Sequence, residues 1–236
     1  MFNKKLKEQF IALMYLDNLD IDLEVLNKFK KVWVDNKDFK IDGMNILQKA
    51  LFDLSPKISK FLLETDYYDI DALTDEHETA LSIIVAEFNV TATKLAKGVL
   101  KKKPNVDVQN MLKETPLMVA IESGIEGSIT LEIAERTTKP NFQNQKRETA
   151  LDYCLLNERR WRENAWISIT LIEKDDIWIS DEQIDKIIGF IENSLKTSAI
   201  WQVVQQNKEL LKRFIDRATV LKKYQFNPEM NKVFLF

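Results

Sequence analysis

Glu114-Thr115-Pro116-Leu117-Met118-Val119-Ala120 returns in shortened form three more times along the 236-residue chain. Glu78-Thr79-Ala80-Leu81 and Glu148-Thr149-Ala150-Leu151 copy its opening, and Met44-Asn45-Ile46-Leu47 is a worn fourth version. The leucines at 47, 81, 117 and 151 are 34, 36 and 34 residues apart, a period expected of stacked structural units rather than of one globular core. Each copy reads as the start of a helix. Thr115 is a good N-cap, and Pro116 sets its own φ for the first turn while pushing Thr115 into an extended conformation. Leu117, Ala120 and Ile121 then follow at i, i+3 and i+4, one face of a short helix. Leu47, Ala50 and Leu51, then Leu81, Ile84 and Val85, then Leu151, Cys154 and Leu155 repeat that phase.

A second apolar helix is predicted after each first one, as in Ile58-Ser59-Lys60-Phe61-Leu62-Leu63 and Leu95-Ala96-Lys97-Gly98-Val99-Leu100. Turns follow at Asp69-Ile70-Asp71-Ala72, Pro104-Asn105-Val106-Asp107 and Pro140-Asn141-Phe142. The Thr-Pro-Leu-x-x-Ala box, the helix pair and the hairpin entry together resemble the ankyrin repeat over roughly residues 38 to 178. That resemblance implies an all-α ankyrin-repeat solenoid of helix-turn-helix pairs joined by short hairpin loops. It also implies recognition of protein partners through the hairpin tips and the exposed side of the first helices. Ankyrin repeats usually carry His two residues after the Pro and Gly two before the Thr. Here those places hold Gln48, Ser82, Met118 and Asp152, and Gly43, His77, Lys113 and Arg147.

Three segments are expected. Residues 1–37 form an N-terminal helical cap, a degenerate repeat in which Leu13 lies 34 residues before Leu47 and in which Lys4, Lys5, Lys7, Lys28, Lys30 and Lys31 keep one face polar. Residues 38–178 form four repeats, with boundaries near Tyr68, Pro104 and Pro140. Residues 179–236 form a C-terminal helical cap, read from apolar periodicity over 181–191 and 197–224; the apolar Val233-Phe234-Leu235-Phe236 end is expected to dock. In the fourth repeat Trp161, Trp166 and Ile169 are bulkier than a second helix needs and call for an extra packing partner.

With 45% hydrophobic residues and only 5 Gly and 5 Pro, the chain is rich enough to bury a continuous core and poor in disorder-forming residues. A net charge of −3 from 34 basic and 37 acidic residues argues against generic binding to nucleic acid or an anionic membrane. A single Cys rules out an internal disulfide framework, and no apolar run approaches spanning length. The Phe10 to Leu16 run behind Lys4, Lys5 and Lys7 is followed by Asp17, Asn18 and Asp20, so it reads as an amphipathic helix rather than a leader. The expected location is cytoplasmic, with delivery into a host or neighbouring cell as the other route.

Catalytic and metal motifs find no support. His77-Glu78 opens like a zinc-protease helix, but His77 is the only His and Cys154 the only Cys, too few for an ordinary structural zinc site. His77 instead occupies the hairpin Gly place, where a positive φ is expected. Cys154 stands where other copies have Ala50, Ile84 and Ala120, and reads as a buried small apolar residue. Asp38 to Gly43 mimics a calcium loop, yet Lys40 and Lys49 occupy ligand positions. Lys101-Lys102-Lys103 faces a helix C-terminus, where cations are favoured. Arg159-Arg160-Trp161-Arg162 resembles a single-strand binder in composition, but Glu158 and Glu163 flank it. No enzyme activity, cofactor or metal is expected.

One local bias stands out. From Phe61 to Thr93 there is no Lys or Arg, while Glu64, Asp66, Asp69, Asp71, Asp75, Glu76, Glu78 and Glu87 fall inside those 33 residues. Stacking should set Glu78, Glu114 and Glu148 in a row. Tyr67 and Tyr68 add aromatic anchors beside Asp69, Asp75, Glu76 and Glu78. Lys113 and Arg147 share the tips with Glu114 and Glu148. These residues form the candidate partner-binding surface, expected to meet a basic patch on a protein. The expected function is a non-enzymatic protein-binding module that inhibits or neutralises its partner by occlusion, as an immunity or counter-defence protein would. A secreted bacterial effector acting as an adaptor is the alternative, and a small enzyme on a repeat scaffold comes behind both.

Overall fold

The computed structural model describes residues 2–17, 23–36, 38–156, 161–174 and 176–180, together with Glu182, Gln183 and Lys186. Helices α1 (Phe2–Asp17), α2 (Leu23–Asp35), α3 (Ile46–Phe52), α4 (Pro56–Thr65), α5 (Ala80–Val85), α6 (Val90–Lys101), α7 (Pro116–Ser123), α8 (Gly127–Arg136), α9 (Ala150–Leu156) and α10 (Trp161–Ile172) make the described part all-α. Its only β feature is an isolated antiparallel bridge between Ile41 and Met44. The chain divides into two compact units, Met1–Ala150 and Leu151–Phe236, a division that falls within the segment expected as the fourth repeat.

In the first unit, α3, α5 and α7 pack one on the next, as do α4, α6 and α8, and each short helix packs on the longer one that follows it. The cause is written in the apolar phase. Leu47, Leu81 and Leu117 are each at most 2% exposed, and so are Ala50, Ile84, Ala120 and the following Leu51, Val85 and Ile121. A helix of six to eight residues is too short to be stable alone, so packing and capping must hold it. The caps are uniform. Asn45, Thr79 and Thr115 are extended N-caps whose side chains accept the N–H of Gln48, Ser82 and Met118, while the side chains of those three residues accept the N-cap N–H in return.

The loops before α3, α5, α7 and α9 each turn on a residue of positive φ: Gly43 at 79°, His77 at 61°, Lys113 at 60° and Arg147 at 63°. All four stand where the sequence places the hairpin Gly. Gly43 is also close-packed, since a β-carbon there would sit 3.0 Å from Asp75 Oδ2.

At the N-terminal side, Trp33 of α2 is 1% exposed and gathers an aromatic cluster. It stacks on Phe10 of α1 and on Phe29 and meets Phe61 of α4 edge-on, with ring centroids 5.4 Å apart. Of the six lysines expected to keep this face polar, Lys5 and Lys30 are exposed, Lys7 is half-buried and pairs with Asp42, and the side chains of Lys4, Lys28 and Lys31 lie outside the described residues.

In the second unit, Leu151, Cys154 and Leu155 of α9 and Ile167, Leu171 and Ile172 of α10 are buried. Asn164 donates through Nδ2 to the Cys154 carbonyl at 3.3 Å. Trp166 and Trp178 are 41% and 62% exposed. The runs 187–191 and 197–224, the tail at 233–236 and the side chains of Arg159, Arg160, Trp161 and Arg162 lie outside the described residues.

Candidate functional site

Three hairpins, residues 73–78, 109–114 and 143–148, carry the candidate surface, and one device builds each of them. Thr74 N–H donates to Glu78 O, Asn110 N–H to Glu114 O and Asn144 N–H to Glu148 O at 2.9–3.0 Å. The side chains of Thr74, Asn110 and Asn144 point into the turn and accept the N–H of Glu78, Glu114 and Glu148 at 2.9–3.0 Å, and also that of Glu76, Leu112 and Lys146. These acceptors occupy donors that the tight turn would otherwise strand. Thr or Asn four residues before each Glu is the sequence signal of this device.

Consecutive tips are tied to one another by the main chain. Asp75 N–H donates to Gly43 O at 3.2 Å, Met111 N–H to Glu76 O at 3.2 Å and Gln145 N–H to Leu112 O at 3.0 Å. Gln145 Nε2 adds a bond to Met111 O, and Gln109 Nε2 one to Gln143 O. Further back, Asp71 Oδ1 accepts the N–H of Asn105, and Asp107 Oδ2 accepts both the N–H and hydroxyl of Thr138. Gln48 Nε2 crosses to the Ala72 carbonyl at 2.7 Å.

The tips therefore form a fixed row in which the three glutamates hold equivalent places, each half-buried. Asn110 and Asn144 donate to the carboxylates of Glu114 and Glu148. Glu78 has a Thr in that place. Burial, and then the negative charges of Glu76 and Glu114, push its carboxyl above the usual carboxylate range.

The acidic run itself is put to several uses. Asp66 pairs with Lys102, Asp75 with Lys40 at 2.7 Å, and Asp71 is taken up by Asn105. Asp69 caps its own turn by accepting the Asp71 N–H. Glu76 is exposed and has no ion pair among the described residues. Tyr67 is half-buried, with Lys30 Nζ 5.8 Å from its ring centroid. The hydroxyl of Tyr68 is buried without a partner among the described residues, and burial pushes its pKa up. Both tyrosines are thus drawn toward the body of the unit.

The middle tip carries apolar side chains that the acidic bias of the sequence does not signal. Met111 and Leu112 are 61% and 55% exposed, with Leu73 at 42% on the first hairpin. Lys113, Lys146 and Arg147 are exposed as well.

Other chemistry is limited. Burial raises the Cys154 thiol to about 12 despite a hydrogen bond with Ser168. Among the described residues no group of three or more His, Cys, Asp or Glu is placed to hold a metal, and no helix is long and apolar enough to cross a membrane. No protein-family model and no curated protein matches the chain.

Proposed function

We propose that the chain is an ankyrin-type repeat protein and works as a non-enzymatic protein-binding module, inhibiting or neutralising a partner by covering a basic site on it. One observation carries this reading: Glu78, Glu114 and Glu148 stand at the same station of three hairpins bonded tip to tip. The recurring caps and the four positive-φ stations support the repeat reading. A row of carboxylates on a rigid edge lowers the ordering cost of binding and steers a positive surface to it. Burial first, and then the negative charges of Glu76 and Glu114, oppose ionisation of the Glu78 carboxyl. A Lys or Arg brought beside it by a partner would relieve that repulsion. A compact binder with such an edge acts by occlusion, as an immunity or counter-defence inhibitor does.

The test is a pull-down from native lysate with wild type and the Glu78→Gln/Glu114→Gln/Glu148→Gln variant, read by mass spectrometry. Gln keeps an acceptor oxygen for Asn110 and Asn144 while removing the charge. A basic protein captured by the wild type and lost by the folded variant is the expected result. Equal capture by both would remove the hairpin row from the reading.

A further inference from the structure

The exposed tips differ in character in a definite order. The first is Asp75-Glu76-His77, the second Met111-Leu112-Lys113 and the third Gln145-Lys146-Arg147, all exposed. Main-chain bonds from Met111 to Glu76 and from Gln145 to Leu112 fix that order along one edge. Glu76, Leu112 and Lys146 are equivalent positions, each the residue whose N–H is accepted by the side chain of Thr74, Asn110 or Asn144. The edge therefore runs acid, apolar, base. Glu76, Lys146 and Arg147 have no ion pair among the described residues, so this charge is not spent within the unit.

Such an edge is complementary to its own reverse. A two-fold axis beside Leu112 would lay Met111 and Leu112 of one chain on the same residues of the other, and would bring Glu76 opposite Lys146 at both ends. Closed two-fold interfaces have this property, each patch meeting itself in the opposite direction. We propose that the hairpin edge of residues 75–147 pairs with that of a second copy of the chain, acid tip to basic tip, around the apolar middle tip. Three tips make a small face, so the pairing is reversible and depends on concentration and salt. A paired edge is closed to any other protein, and self-association would thus set how much binding-competent chain exists. This inference needs no partner protein, and its outcome leaves the partner-binding reading to its own pull-down.

The test is sedimentation equilibrium of the full chain. The expected result is a monomer–dimer equilibrium at up to about 100 μM protein, in the range of small reversible interfaces. It should shift to monomer as ionic strength rises from about 0.1 to about 1 M, where the Debye length falls from about 10 to about 3 Å. Glu76→Lys alone and Lys146→Glu alone should each weaken self-association by about tenfold or more, because like charges then meet at both ends. Mixed one to one, the two variants should associate with each other within about threefold of the wild-type constant, since opposite charges again meet at both ends. Circular dichroism checks that each variant is folded, and both positions are exposed. A monomer at every concentration, a dimer indifferent to either reversal, or a mixture that stays monomeric would each overturn the proposal.

Discussion

Asn144 donates through Nδ2 to Glu148 Oε2 at 2.9 Å, and its Oδ1 accepts the backbone N–H of the same Glu148, also at 2.9 Å. One buried side chain thus holds both the main chain and the carboxylate of the residue at the base of the third hairpin. Asn144→Ala should cost about 1–3 kcal/mol, because it strands the N–H groups of Lys146 and Glu148 as well as removing the bond to the carboxylate. Asn144→Thr, which keeps an acceptor oxygen as Thr74 does in the first hairpin, should cost less. Urea unfolding of the two variants checks the order.

Leu117 is fully buried in α7, whereas Leu112, five residues earlier, is 55% exposed. Leu117→Ala should destabilise by about 2–5 kcal/mol through lost burial and the cavity left behind. Leu112→Ala should stay within about 0.5 kcal/mol of wild type. Thermal midpoints that moved equally would sink the assigned register.

Lys113 and Arg147 pay for their left-handed backbone with crowding of the β-carbon, at φ of 60° and 63°. Lys113→Gly removes that crowding, worth about 1–2 kcal/mol, against a backbone-entropy cost of about 0.5–1 kcal/mol. A net gain of about 0.5–1 kcal/mol in stability is expected. Lys113→Val should lose stability instead, since a β-branched side chain is worst at positive φ. Denaturant midpoints of the pair give the sign.

The Glu78 carboxyl has its pKa raised by burial first and by Glu76 and Glu114 second. The folded chain therefore holds this proton more tightly than the unfolded chain. Its favourable contribution is complete below the ordinary value of 4.5 and is lost as pH rises through the higher folded value. Glu78→Gln should accordingly be more stable than wild type at neutral pH and equal to it well below that value. Salt should shrink the part due to Glu76 and Glu114 and leave the part due to burial. Unfolding curves across this range, at low and high salt, decide it.

Cys154 is buried in α9, and its thiol is raised to about 12 by that burial. Native protein should resist iodoacetamide at pH 8, whereas unfolded protein should label at the rate of a free thiol. Rapid labelling of the native chain would contradict the placement of α9 residues.

Much of this architecture is local, and local features are legible. The N-caps at Thr79 and Thr115 and the apolar phase of α3, α5 and α7 depend on residues within one or two turns of each other, and their recurrence every 34 to 36 residues is visible on laying the chain against itself. Helix α2, Leu23–Asp35, lies within the segment 1–37 that was expected to be helical. The positive φ at His77 was expected from its standing at the hairpin Gly place. The row of Glu78, Glu114 and Glu148 followed from the period, whereas the acidic run beside it was legible only as a composition. Eight acids stood together in the sequence, but which were committed to Lys40, Lys102 or the Asn105 N–H depends on partners about 35 residues away.

The sequence by itself determined the helices, their caps and the spacing of the hairpins, since propensity, capping and turn chemistry act between neighbours in the chain. Tertiary structure alone decided that the tips of the expected row are joined by main-chain hydrogen bonds, that the Tyr68 hydroxyl is buried, and which of the acids are taken up by Lys40, Lys102 or the Asn105 N–H. Those outcomes rest on hydrogen bonds and burial between residues brought together only by packing, and no local pattern encodes them.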